Sequence, residues 1–362
     1  MTVPADVLLE GPRGRRLCLE LALLLAPDLR SPVMRLAGAL DPASGTSRVT
    51  LVLAASDDDG PAMHPGRPDA TTPAGVAARI ASINPGDISD SRILDAFGQS
   101  VGAARGWQEP DGEDVLAALP VIRESLLPVA GRVLASTTGP WLASARRTVQ
   151  WHLDWRVPED PVHLPGSPRE ALAAWARGAR DEEERARHDR PSDPRAPYSG
   201  TWWSLPEGLL QTVGNIPAAL DLVEDAAGEE CATAVPVRGG GRTFEVAVEE
   251  DWAALCREYP LDVTASRRHD WYRTTGRAGS WVIPDWERVA ADWDAVHLSA
   301  LGYLRCATRA LRVEADTASV IAGWNPDTTV WLTDVARESV EPRQAWRRHQ
   351  DTMAWAPARQ TG

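Results

Sequence analysis

The chain contains no lysine, because all 38 of its basic residues are arginine. Chemistry that rests on a lysine amine cannot be built here in its usual form: Schiff-base and pyridoxal-phosphate catalysis, lysine adenylation and the Walker-type phosphate loop are all excluded. Cysteine is scarce too. Cys18, Cys231, Cys256 and Cys306 lie far apart and form no CxxC pair, so they read as reduced core residues rather than as a zinc or redox motif. Long apolar runs are missing. The longest, Leu17 to Ala26, is interrupted by Glu20 and falls far short of a membrane span. The first ten residues lack a basic region and a cleavage site, and we expect a cytoplasmic protein. The GxSxG, HExxH and GxGxxG motifs are absent as well, so no familiar hydrolase, zincin or dehydrogenase is announced.

What the chain has in excess is negative charge and tryptophan. Its 362 residues carry 51 acidic groups and a net charge of -13, which disfavours duplex nucleic acid and anionic membranes as partners. The expected partners are a basic protein or a small anionic ligand. The aromatic set is 16 Trp against 4 Tyr and 2 Phe, and 11 of the tryptophans follow residue 200. Tryptophan buries a large apolar body and must satisfy an indole N–H, which suits core edges and pocket walls.

The patterning predicts an α+β protein. Residues 1–156 read as a mainly helical domain with two early strands, Val7 to Leu9 and Arg48 to Ala54, and a long loop from Ser56 to Gly75. Helices are expected over Arg15 to Leu25, Gly75 to Ser82, Ser89 to Ala104 and Gly112 to Ser136. Residues 157–200, rich in proline and charge, read as an exposed connector with a short helix beginning around Ser167. Residues 201–340 read as a Trp-rich α+β domain with a helix-covered sheet. Its strands are placed at Leu220 to Glu224, Ala232 to Val237, Arg242 to Val248, Asp294 to Leu298, Thr317 to Ala322 and Thr328 to Thr333, and Asp251 and Asp285 as caps of amphipathic helices. A C-terminal helix and tail are expected over 341–362.

Candidate chemistry falls in few places. Arg267-Arg268-His269-Asp270-Trp271-Tyr272 is dense in polar groups on an expected loop between Tyr259 and Trp281; Arg267, Arg268, His269 and Tyr272 would capture phosphate or carboxylate. Trp202 and Trp203 would stack on a flat ring. His297, on an expected strand close to Ser299 and Tyr303, would act as general acid or base, and Asp327 would join it. No metal site is assigned. Trp151-His152-Leu153-Asp154-Trp155 resembles the WHxD strand of phytanoyl-type oxygenases, although Pro168 stands where that family has its second histidine, and the stretch before His152 reads as helix.

The C-terminal half also resembles a loose group of bacterial, actinobacterial-type proteins with a WWS opening, two DW-led helices and a DAVHL strand. Here these are Thr201-Trp202-Trp203-Ser204, Asp251-Trp252, Asp285-Trp286 and Asp294 to Leu298. That order of elements is similar to toxin-like and ADP-ribosyltransferase-like modules, and the resemblance implies NAD or a nucleotide bound in a cleft. It also implies a basic residue on the first strand, where this chain has Trp202, and a late glutamate, where it has Asp327. Two functions follow as expectations: a non-catalytic interaction or regulatory protein of the bacterial cytoplasm, or a nucleotide- or NAD-binding, transferase-like enzyme.

Overall fold

The computed structural model describes residues 3–44, 72–156, 163–226 and 228–358. Helices dominate the N-terminal part: α1 (Ala5–Leu8), α2 (Pro12–Leu25), α3 (Arg30–Leu40), α4 (Pro73–Ala81), α5 (Asp90–Gly102), α6 (Gly112–Ala118), α7 (Pro120–Ser125), α8 (Leu127–Ala135) and α9 (Gly139–Leu142). Pro12 opens α2 at a position where its missing N–H costs nothing, and Ser89 caps α5 by accepting from the Arg92 amide. The expected Val7–Leu9 strand is instead the end of α1, because Leu8 and Leu9 are drawn into the helical core. The expected Arg48–Ala54 strand and most of the Ser56–Gly75 loop lie outside the described residues, and α4 already begins at Pro73. The helix expected over Gly112–Ser136 is three helices. Proline at the starts of α7 and α8 cannot accept a place in a helix interior and breaks the run.

Then come β1 (Val149–Asp154) and α10 (Pro168–Asp189). After them lie β2 (Gln211–Val213), β3 (Cys231–Gly239), β4 (Thr243–Val246), α11 (Glu249–Glu258), β5 (Pro260–Asp262), α12 (Thr264–Thr275), β6 (Ser280–Pro284), α13 (Trp286–Val289), β7 (Ala295–Leu298) and α14 (Ala300–Cys306). The chain finishes with β8 (Leu311–Arg312), β9 (Thr317–Ser319), β10 (Thr328–Trp331), β11 (Ala336–Glu338), β12 (Gln344–Arg348) and β13 (Trp355–Pro357).

Several expectations change here. The stretch before His152 is strand, not helix. No strand forms at Leu220–Glu224, which follows a 3-10 turn. The tail expected to be helical forms the antiparallel pair β12–β13. The loop expected between Tyr259 and Trp281 contains the twelve-residue α12. The charged run expected to be an exposed connector belongs to the 22-residue α10, which Ser167 caps and which packs on α12 and α13. Glu183 of α10 is 3% exposed, and its two carboxylate oxygens accept the Ala265 and Ser266 amides at 2.9 and 2.8 Å. A carboxylate from one helix therefore caps the N-terminus of another.

The larger sheet runs β13-β12-β3-β1-β2-β10-β7-β4, with β11 also on β3, and only β4 and β7 are parallel. A parallel neighbour needs a crossover, and the segment from α11 to α13 supplies it. The smaller sheet runs β5-β6-β9-β8. Alternation gives the large sheet two unlike faces. Val246, Val296, Leu298 and Val330 enter a core shared with Leu17, Leu21, Phe97 and Val101 from the N-terminal helices. The opposite face carries Glu245, His297, Thr329 and Thr212, each beside the next in register.

Candidate functional site

The polar face of the large sheet gathers His297 and Asp327. Parallel pairing sets Glu245 beside His297, and the antiparallel β10 sets Thr329 on its other side. His297 is fully buried; its Nδ1 lies 2.6 Å from Glu245 Oε2 and its Nε2 3.2 Å from Asp327 Oδ1. Asp327 adopts a left-handed conformation, φ 54°, which aspartate tolerates better than most residues, and follows Pro326 in the turn before β10. Its second oxygen accepts the Trp141 indole N–H at 2.8 Å. Gly214 passes so close that a Cβ there would sit 2.8 Å from Asp327 Oδ2. Burial opposes a charged imidazole, but the bonds to Asp327 and Glu245 outweigh it and raise the His297 pKa above its ordinary value.

The network continues across the sheet. Gln150 donates to Thr329 Oγ1 at 2.9 Å and accepts from Thr212 Oγ1 at 2.7 Å, and the Trp331 indole donates to Thr212 at 2.8 Å. A coil after α9 covers part of this face. Arg146 donates its backbone N–H to Glu245 at 3.1 Å and its Nε to Thr243 at 2.7 Å, and its guanidinium lies 5.1 Å from the centre of the Trp331 ring. Glu245 is the member of the triad that reaches solvent, its side chain 36% exposed. Both ring nitrogens of His297 are thus held by carboxylates.

The remaining candidates belong to α12 and its surroundings. Arg267 is 3% exposed and donates to Glu182 at 3.2 Å, whereas Arg268 donates to the Ala265 and Ser192 carbonyls at 3.4 Å each. Tyr272 lies beneath the Arg195 guanidinium, 5.2 Å from the ring centre. His269 is 1% exposed and neither ring nitrogen has a partner. Trp202 packs on Trp107 at 4.6 Å between centroids and edge-on to Trp203 at 5.5 Å, and its carbonyl accepts the Trp271 indole N–H. The sequence grouped these residues as one ligand wall; in the fold their polar groups largely tie α12 to α10 and to the 190–202 segment.

Ser299 and Tyr303, expected beside His297, serve elsewhere. Ser299 caps α14 by accepting from Gly302, and the Tyr303 hydroxyl donates to Glu224 at 2.7 Å. His152 places Nδ1 2.9 Å from the Gln211 carbonyl oxygen, and Asp154 meets Arg156. Among the described residues no group of three or more His, Cys, Asp or Glu is placed to hold a metal ion. Glu245, Trp141, Arg146 and Gln150 were missed by sequence reasoning. A signal existed for Glu245: it is the acid opposite Phe244 and Val246 on a strand whose apolar face is clear.

No family model matches the chain, and neither the curated proteins nor the solved structures contain a significant match. No helix of the described residues is long and apolar enough to cross a membrane.

Proposed function

We propose that this chain is a binding protein of the bacterial cytoplasm that holds a segment of a basic polypeptide. The observation that carries this reading is a hollow of about 590 Å³ between the start of α10, α13 and the end of β10. Leu172, Ala173, Ala290 and Leu332 line it together with two carboxylates, Glu287 and Asp334, and one cation, Arg169. Those carboxylates hold loose pairs, Glu287 a half-exposed one with Arg180 at 3.6 Å and Asp334 an exposed one with Arg337 at 3.7 Å. Such pairs contribute on the order of 0–1 kcal/mol and exchange readily for an incoming cation. A second hollow, lined by Leu164, Leu210 and Trp331, shares Pro168, Thr333 and Asp334 with the first.

The net charge of -13 supports the reading, because it steers a basic partner and repels acidic ones. The four cysteines are free, which suits a reducing compartment. The transferase-like alternative would place Arg267 and Arg268 on phosphate, and both are already engaged within the fold.

The test is peptide selection from a random library against the immobilised protein. Selected peptides should combine arginine or lysine with a large apolar residue, and Glu287→Arg with Asp334→Arg should weaken them about tenfold or more, roughly 1.4 kcal/mol. Peptides without basic enrichment, or unchanged binding to the double variant, would contradict the proposal.

A further inference from the structure

His269 is a buried titratable group that lies outside the proposed binding hollow. It lies on α12 beneath the segment from Arg190 to Trp202, with its ring 5.3 Å from that of Tyr198. The segment is tied down on every side of it. Arg190 donates to the Ser266 carbonyl at 2.5 Å and to Glu182 at 2.9 Å, and its guanidinium lies 4.9 Å from the Tyr198 ring centre. Arg273 donates to the Tyr198 carbonyl at 2.9 Å. Asp270 accepts from the Ser199 hydroxyl at 2.7 Å and the Gly200 amide at 3.0 Å.

A neutral imidazole leaves one N–H unpartnered in this place, and an imidazolium leaves two. A protonated His269 would present two N–H donors where neither nitrogen has an acceptor. The charges facing it are mostly of its own sign: Arg268 and Arg273 on α12 and Arg190 at the start of the segment. Asp270, the nearby carboxylate, is already taken by Arg273, Ser199 and Gly200. From α10, Glu182 is committed to Arg267 and Arg190, and Glu183 to the first amides of α12. Burial, followed by Arg268 and Arg273, lowers the affinity of His269 for a proton.

We propose that His269 is an acid-sensitive latch, whose protonation lifts the 190–202 segment from α12 and uncovers the arginines of that helix on an otherwise acidic protein. The sign follows from linkage. Once lifted, the ring has an ordinary pKa of about 6.5. The closed segment is therefore fully favoured above that pH and loses ground as the pH falls through the depressed value of the closed state.

Hydrogen exchange on the full chain, at about pH 7.5 and about pH 5 and corrected for the intrinsic rate, reads the segment directly. We expect residues 191–202 to lose about tenfold or more of their protection at the lower pH while α2 keeps its own. His269→Leu should hold the segment closed at both. Equal protection at both pH values in the native chain would overturn the proposal, as would equal loss in the variant or loss spread evenly through α2. Should His269→Leu fail to fold, an NMR titration of the native His269 ring decides: a midpoint below about 6.5 that coincides with a shift of Tyr198 supports the latch, and any other result refutes it.

Discussion

His297 bridges Glu245 and Asp327, its two ring nitrogens 2.6 and 3.2 Å from a carboxylate oxygen of each. Neighbouring strands bring Glu245 and His297 together, and the turn into β10 brings Asp327, so the triad forms only when β4, β7 and β10 are assembled. Removing one member of a buried ionic cluster strands the others. His297→Ala should cost about 3 kcal/mol or more near pH 6, measured by urea unfolding. The folded pKa of His297 is raised, so the stabilisation is complete below the unfolded value of about 6.5 and is lost as the pH climbs through the folded one. The gap between native chain and variant should narrow in alkali.

Glu224 gives a second pH dependence. Buried and held by the Tyr303 hydroxyl and the Gly323 amide, its carboxyl is pushed up to about 7, chiefly by burial. Its contribution is present below the unfolded value of about 4.5 and lost as the pH rises through about 7. Glu224→Gln should match the native chain near about pH 5 and exceed it in stability above about pH 8, in the same unfolding assay.

Gly214 and Gly38 make a matched pair. An added Cβ at Gly214 meets the Asp327 carboxylate at 2.8 Å, whereas at Gly38, on an exposed part of α3, nothing lies within 4 Å. Gly214→Ala should destabilise by about 1–3 kcal/mol by pushing Asp327 off His297. Gly38→Ala should stabilise by about 0.5–1 kcal/mol through helix propensity. Urea midpoints of the two variants, moving in opposite directions, are the check.

Residues whose apolar period matched their burial were legible in the sequence. Ile93 and Phe97 marked α5, where one face meets the core; Val296 and Leu298 marked β7 by their alternation, although both faces of that strand are buried, and α2 is buried over the whole of Arg16 to Leu23. Helix α12 was not legible. Arg267 and Asp270 are buried on polar partners and His269 is buried beside them, so the helix has no apolar stripe to read. The same reason hid the role of α10, whose Glu182 and Glu183 look like solvated charge until α12 is placed against them. Of the site, His297 and Asp327 could be named but not joined to Glu245, since strand order decides that neighbour and no local pattern encodes it.

The hollow between α10 and α13 is proposed to hold a basic polypeptide. The most direct measurement is capture from a source-cell extract at about 50 mM and about 0.5 M salt, with the native chain and the Glu287→Arg, Asp334→Arg variant side by side. The native chain should recover a basic protein at low salt and less of it at high salt, and the variant should recover none. Recovery of the same protein by the variant, or recovery indifferent to salt, would contradict that reading.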